Sequence, residues 1–148
     1  MNSTPDKIKT NFSIHPATKI ASVSLTVSNL ELLTAFYQQA LGFRVVYRVP
    51  GLVHLRRDRY QDMLLFPSES GRLDSPGRGI VMQLQAGEVS VDEIADKARQ
   101  AGSTDIVGPL EQPWNVREVT IRDPDGYRLR FSEPIDTNLS FNEVMGDN

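Results

Sequence analysis

The sequence predicts an α+β fold built from two βαβββ modules, and three observations predict it. The order strand–helix–strand–strand–strand occurs twice along the 148 residues, over residues 19–68 and again over residues 79–134. A glycine follows the predicted helix in both halves. Residues 69–78, between the two halves, are rich in Gly, Pro and Ser, which is typical of a linker. A repeat on this scale indicates two similar structural units.

The first module begins with a strand. In IASVSLTVS, residues 20–28, apolar and hydroxyl side chains alternate with period two, which is typical of a half-buried strand. The next segment, NLELLTAFYQQAL, has apolar residues at helical spacing and predicts a helix over residues 30–41. Asn29 is its expected N-cap and Gly42 the residue that ends it. FRVVYRV, LVHLRR and DMLLFP predict the three strands that complete the module.

The second module repeats this order. GIVMQLQ, residues 79–85, predicts a strand whose helix-facing side includes Ile80. SVDEIADKARQAG predicts a helix over residues 91–101, which begins with a capping box of Ser90 and Glu93. TDIVGPL, NVREVTIRD and YRLRFSE predict three more strands, and the DPDG stretch predicts a tight turn between the last two.

Composition excludes several classes of protein. A net charge of −3 and a pI near 5.4 argue against a nucleic-acid-binding surface. The absence of cysteine excludes disulfides and thiolate metal sites, and it fits a reducing cytoplasm. Residues 1–18 lack the apolar core of a signal peptide and are expected to form an N-terminal arm, with residues 135–148 as a C-terminal tail. No apolar run reaches the roughly 20 residues that span a membrane. We therefore expect a cytoplasmic protein that binds neither nucleic acid nor membrane.

Two stretches carry a resemblance to a known family. LTVSNLELLTAFYQQALGFRVVYR and VREVTIRDPDGYRLRFSEP resemble the vicinal oxygen chelate superfamily, which holds glyoxalase I, the bleomycin resistance proteins and extradiol dioxygenases. The stretches EQPW, RDPDG and GLVHLRRD are most similar to the bleomycin-resistance branch. The resemblance covers residues 20–134 and implies the glyoxalase/bleomycin resistance fold, in which two facing curved mixed sheets enclose a cleft. It also implies a homodimer, since many members pair, some by exchanging elements.

The resemblance places one metal-ligand position on each of four strands. The residues at these positions are Ser22, Leu64, Gly79 and Arg130. Divalent metals prefer imidazole, carboxylate or thiolate donors, and a guanidinium has no lone pair to offer. The two histidines, His15 in the arm and His54 in the third strand, fall at positions that the family does not use for metal. We therefore expect no metal and no other cofactor, which argues against metal-dependent glyoxalase and ring-cleaving activities.

Strand alternation predicts which side chains line the cleft. The apolar side of each strand packs against the helices, so the opposite side faces the cleft. This side carries Arg128 and Arg130 on the last strand and Glu118 on the strand before it. Trp114 is four residues before Glu118, an even number, so alternation predicts that it faces the cleft too. A buried Arg130 needs Glu118, Asp62 or an anionic ligand as its partner. The candidate ligand-binding residues are Ser22, Ser24, His54, Leu64, Gln83, Trp114, Glu118, Arg128 and Arg130.

Three functions are compatible with these residues. The first is a binding module that sequesters a small molecule, anionic or aromatic because Arg128 and Arg130 line the cleft. The second is an enzyme of the superfamily, a lyase, isomerase or dioxygenase, which uses a metal or has Glu118 or His54 as general base. The third is a structural role with an unused cleft. The residues favour the first function, in a homodimer because each module has strand edges that need covering.

Overall fold

The structure, a computed structural model, describes residues 22–59, 61–74 and 76–146. The predicted N-terminal arm, residues 1–18, lies outside this part of the chain. The elements are β1 (Ser22–Val27), α1 (Leu30–Gln39), β2 (Arg44–Val49), β3 (Leu52–Arg57), β4 (Gln61–Pro67), β5 (Val81–Gln85), α2 (Val91–Gln100), β6 (Ile106–Gln112), β7 (Val116–Arg122), β8 (Arg128–Pro134) and α3 (Phe141–Met145).

The strands form two four-stranded mixed sheets. The strand order is β1-β4-β3-β2 in the first sheet and β5-β8-β7-β6 in the second. In each sheet the first strand of the module pairs in parallel with the last, and the other neighbours are antiparallel. The shared topology confirms the predicted α+β fold of two βαβββ modules. In the described part of the chain, no helix has the length and apolar character needed to cross a membrane.

Capping side chains fix where the helices begin, as the sequence predicts. Asn29 Oδ1 accepts a hydrogen bond of 2.9 Å from the backbone N–H of Leu32. Ser90 Oγ accepts one of 3.1 Å from the N–H of Glu93, which is one of the two bonds of the predicted capping box. Gly42 takes a left-handed backbone conformation (φ +74°) just beyond α1, where a residue with a side chain would be strained.

Both modules contribute to one hydrophobic core, which lies on the helix-facing sides of the sheets. Val27 of β1 and Phe131 of β8 are fully buried there, as strand alternation predicts. The prediction for Ile80 is wrong, because this side chain is 58% exposed. The strand β5 begins only at Val81, after a left-handed turn at Gly79 (φ +77°), so the alternation does not extend back to Ile80.

The DPDG turn joins the two modules in addition to linking β7 to β8. Its first carboxylate, Asp123, is buried and accepts a hydrogen bond of 2.6 Å from the hydroxyl of Tyr37 on α1. Its second carboxylate, Asp125, accepts hydrogen bonds from the N–H (2.8 Å) and the hydroxyl of Ser28, directly after β1. A motif that reads as a turn in the sequence is therefore also a contact between modules.

Arg57, at the end of β3, makes a second contact between the modules. Its guanidinium donates hydrogen bonds to the carbonyl oxygens of Gln85 (2.8 Å) and Ala86, and it lies 4.7 Å from the centroid of the Phe131 ring. The residue is only 6% exposed. Because Arg57 shares the helix-facing side of β3 with Val53, the polar faces of the two sheets take no part in this contact.

Candidate functional site

The polar face of the second sheet brings together several of the predicted site residues. Gln83 of β5 lies beside Arg130 of β8, which in turn lies beside Thr120 of β7. Glu118 lies one row further along β7, on the same face, beside Ser132. We call the polar side of this sheet the arginine face, because Arg128 also lies on it, two residues from Arg130.

Among the described residues, the ion pair that Arg130 forms is a long one, with Glu118. Its Nε donates a hydrogen bond of 3.3 Å to Thr120 Oγ1 and lies 3.9 Å from Glu118 Oε1, at the outer limit of an ion pair. The same oxygen of Glu118 accepts a hydrogen bond of 3.0 Å from the Gln112 side chain. The Arg130 side chain remains 32% exposed. The pair is therefore open rather than closed, and the guanidinium can still bind an anion.

A second cation adds to the positive charge of the arginine face. Arg128 forms no ion pair among the described residues and is partly exposed. It lies directly beside Arg122, whose own side chain reaches Asp105 at 3.4 Å. The arginine face therefore holds more positive charge than its carboxylates compensate, and the excess favours an anionic ligand.

The polar face of the first sheet differs in its electrostatics. Asp62 of β4 accepts two hydrogen bonds from Arg56, of 2.7 and 2.8 Å, and lies 2.8 Å from Nε2 of His54. Burial opposes the charge of Asp62, yet the hydrogen bonds from Arg56 and His54 lower its pKa below the ordinary value. Asp62 is thus engaged within its own sheet. This cluster balances its own charges, which makes the first sheet a weaker place for an anion.

The remaining predicted site residues divide between the two sheets. Ser22 and Ser24 are exposed on β1, and Ser24 lies beside Leu64 of β4, which lies beside His54 of β3. Trp114 lies in the turn between β6 and β7 and is 50% exposed. Strand parity therefore does not decide where Trp114 points, because the residue is not part of a strand.

Sequence analysis missed Gln112, whose side chain donates a hydrogen bond to Glu118. Gln112 is the last residue of β6 and lies beside Val116, so it shares a face with Glu118 two residues further on. The signal available in the sequence was the short turn PWN between two strands, which sets this register.

The four positions at which the family resemblance implies metal ligands do not fit a divalent cation. Ser22 and Leu64 offer no imidazole or carboxylate, and Gly79 has no side chain and precedes β5. Arg130 would place a positive charge beside the ion. Among the described residues, no group of three or more His, Cys, Asp or Glu side chains is arranged to hold a metal.

We expect the purified protein to carry no stoichiometric transition metal, because these four residues lack suitable donors. Elemental analysis of protein purified without chelators should find far less than one equivalent per chain. Zinc, nickel, iron or manganese near one equivalent, lost on changing His54→Ala or another polar-face residue, would contradict this expectation.

Comparison with family models identifies the superfamily of the chain. The model of one family, Glyoxalase/Bleomycin resistance protein/Dioxygenase superfamily, matches residues 19–131. A comparison with curated proteins finds no match to the chain.

Solved structures share the fold at low sequence identity. TnmS3, an antibiotic binding protein from Streptomyces sp. CB03234, is 22% identical, with 78% of this chain and 94% of its own covered and a TM-score of 0.62. The bleomycin resistance determinant encoded on the transposon Tn5 is 23% identical, with coverage of 77% and 96% and a TM-score of 0.61. A bleomycin-binding protein complexed with bleomycin is 24% identical, with coverage of 76% and 96% and a TM-score of 0.59. At these identities the likeness shows a shared fold.

Proposed function

Because the chain belongs to the Glyoxalase/Bleomycin resistance protein/Dioxygenase superfamily, we propose that it binds and sequesters a small molecule on its arginine face without using a metal. The observation that carries the proposal is the open pair of Arg130 and Glu118, separated by 3.9 Å. A cation held on a sheet face without a close carboxylate stabilises a ligand that supplies the missing negative charge.

The chemistry of the face favours a ligand with a carboxylate, phosphate or phenolate. A guanidinium offers a planar fork of donors that matches these groups. The neighbouring Gln83 and Thr120 add polar groups, while Val107 and Leu110 of β6 are 57% and 50% exposed and offer apolar surface on the same side. An anionic ligand with an aromatic ring would use both kinds of surface.

The names of two solved relatives support binding as the function. One solved relative binds bleomycin and another is an antibiotic binding protein. Bleomycin is a cationic drug, and a face with two arginines repels a cation. We therefore assign the same mode of action, sequestration, to a ligand of opposite charge.

The protein acts as a homodimer in this proposal. Val107 and Leu110 lie on β6, which forms one edge of the second sheet, and exposed apolar side chains on an edge strand favour association. A second copy that covers this side would remove the apolar side chains from water and enclose the ligand.

Replacing Arg130 with alanine is expected to weaken binding of an anionic probe by about 1.5–3 kcal/mol, the range for a hydrogen bond to a charged group. This corresponds to an increase of about 10- to 150-fold in the dissociation constant. Thermal-shift measurements with benzoate, phenyl phosphate and inorganic sulfate would select the probe, since a ligand that binds the folded state raises the melting temperature. Calorimetry would then give the dissociation constants of the wild type and the variant.

Arg99→Ala is the matched control, because Arg99 is an exposed arginine on α2 that pairs with Asp96 at 3.1 Å. Its probe affinity should equal that of the wild type. The Arg130→Lys variant keeps the charge without the planar fork, so its affinity for the probe should lie between those of the wild type and Arg130→Ala. Equal affinity in the Arg130→Ala variant, or a melting temperature that no anionic probe raises, would remove the proposed function.

A further inference from the structure

The guanidinium of Arg130 leaves most of its hydrogen-bond donors open on the arginine face. Its Nε donates to Thr120 Oγ1 at 3.3 Å, and its two terminal nitrogens donate to no residue that the structure describes. The side chain is 32% exposed. The terminal nitrogens are therefore available to a ligand, and they form the planar fork that matches a carboxylate.

The carboxylate of Glu118 has one oxygen engaged and one oxygen open. Oε1 accepts the hydrogen bond of 3.0 Å from Gln112 and lies 3.9 Å from Arg130 Nε. Oε2 accepts no hydrogen bond from the residues that the structure describes, and it is not one of the fully buried atoms that lack a partner. The side chain is only 13% exposed. A carboxylate so largely removed from water is stabilised by a further donor, and Oε2 is the atom that can accept from it.

The strand order places a cation, an acceptor and an apolar side chain in sequence across the arginine face. Arg130 lies on β8, Glu118 on the neighbouring β7 and Leu110 on β6, where Leu110 is directly beside Glu118 and 50% exposed. Neighbouring strands lie about 5 Å apart, so the cation and the apolar side chain are separated by roughly 10 Å with the acceptor between them. A ligand that crosses the face meets these three groups in that order.

We infer that the arginine face selects acids that carry a hydroxyl or ammonium group between the anionic group and an apolar group, with Glu118 as the specificity-determining residue. A 2-hydroxy or 2-amino acid with an aromatic side chain has this order of groups. The terminal nitrogens of Arg130 bind its carboxylate, and Glu118 Oε2 accepts a hydrogen bond from its hydroxyl or ammonium group. Its ring packs against Leu110.

This inference rests on the proposed function and goes beyond it, because an anion with an aromatic ring satisfies that proposal without a hydrogen-bond donor. Glu118 also acts against such an anion. Its charge repels a second carboxylate, and a ligand that covers the face without donating leaves Oε2 removed from water and unpaired. A site built to accept a hydrogen bond from a ligand therefore rejects the analogue that lacks the donor.

Calorimetry with three matched probes tests this selection on the wild-type chain. 3-Phenylpropanoate has the carboxylate and the ring alone, 3-phenyllactate adds a 2-hydroxyl group, and free phenylalanine adds a 2-ammonium group. We expect 3-phenyllactate or phenylalanine, in one of its enantiomers, to bind at least about tenfold more tightly than 3-phenylpropanoate, the lower limit for a hydrogen bond to a charged group. The tighter of the two distinguishes a hydroxy acid from an amino acid. A smaller advantage for both probes would overturn the inference.

Variants of Glu118 show whether this residue is the source of the preference. Glu118→Ala removes the acceptor, so the substituted probe should lose its advantage while 3-phenylpropanoate binds at least as tightly as it does to the wild type. Glu118→Gln keeps an oxygen that accepts from a hydroxyl group but carries no charge, and it serves where the alanine variant does not fold. Glu111→Ala is the control, because Glu111 is an exposed glutamate on the opposite side of β6 from Leu110, and it should keep the wild-type preference. A preference that Glu118→Ala retains would contradict the assignment.

The outcomes separate this inference from the proposed function. If the three probes bind the wild type equally and Arg130→Ala weakens all of them, the inference is removed and the proposed function stands. If no anionic probe binds the wild type, both are removed. A preference for the substituted probe that disappears in Glu118→Ala supports both.

Discussion

Replacing Arg57 with alanine is expected to lower the free energy of unfolding by about 3 kcal/mol. The change removes the hydrogen bonds to the carbonyl oxygens of Gln85 and Ala86, and an unsatisfied buried carbonyl costs about 1–3 kcal/mol. It also removes the cation over the Phe131 ring, worth about 0.5–2 kcal/mol. Water that enters the space left by the side chain offsets part of this total.

Two further variants make the measurement specific. Arg57→Met keeps the packing against Phe131 but donates no hydrogen bond, so its stability should lie between wild type and alanine. Arg99→Ala removes an exposed arginine of α2 and should change stability by less than about 1 kcal/mol. Urea unfolding of the four proteins gives the free energies. A loss below about 1 kcal/mol for Arg57→Ala would mean that Arg57 does not hold the modules together.

The second large effect is a fall of about 2 kcal/mol in stability as the pH rises from about 4 to about 7, caused by Asp123. Burial raises the pKa of Asp123 from 3.8 to about 6, because the hydrogen bonds from Tyr37 and from backbone N–H groups compensate only part of the cost of burying its charge. A shift of about two units corresponds to about 3 kcal/mol over the whole pH range, and part of it is already lost at about pH 4, where about half of the unfolded carboxyl groups are ionised.

The sign follows from proton linkage. A carboxyl group whose pKa is raised on folding binds its proton more tightly in the folded state, so its stabilising contribution is complete below about 3.8. That contribution is lost as the pH rises through about 6. Asp62 has the opposite shift, since its pKa is lowered from 3.8, and its contribution is lost only as the pH falls below that value. A change in stability above about pH 4 therefore reports on Asp123, and a change below about pH 4 reports on Asp62 as well.

Asp123→Asn tests this effect, because the amide keeps the shape of the side chain without titrating. Urea unfolding at several pH values should show a smaller fall between about pH 4 and about pH 7 than the wild type shows. Tyr37→Phe removes a hydrogen bond that lowers the pKa of Asp123, so its fall should extend to higher pH. Identical pH profiles for wild type and Asp123→Asn would show that Asp123 carries no such penalty.

Several features of the fold could be predicted from the sequence, because they depend on neighbouring residues alone. Alternation within β1, β7 and β8 gives the buried side of each strand, and Val27 and Phe131 lie where it predicts. Asn29 caps α1 through a backbone group three residues away. The prediction for Ile80 is wrong because alternation of side chains holds only within a strand. The strand β5 begins at Val81, so Ile80 lies in the preceding turn and is exposed.

The tertiary structure decided which charged groups meet. Sequence alone allowed Asp62 or Glu118 as the partner of Arg130, because alternation gives a face but not a neighbour. The strand order β1-β4-β3-β2 places Asp62 beside Arg56, which binds it with two hydrogen bonds. Glu118 accepts its hydrogen bond from Gln112, on the neighbouring strand β6.

The sequence by itself thus determined the two modules, their apolar faces and the lack of metal donors at the four expected positions, since each depends on local spacing or residue type. Only the tertiary structure decided that Asp123 and Asp125 of the DPDG turn contact the first module, through Tyr37 and Ser28. It also decided that Arg130 and Glu118 form only a long ion pair, with Nε and Oε1 3.9 Å apart. Contacts between residues far apart in the chain depend on strand order and on the packing of one module against the other, and local spacing encodes neither.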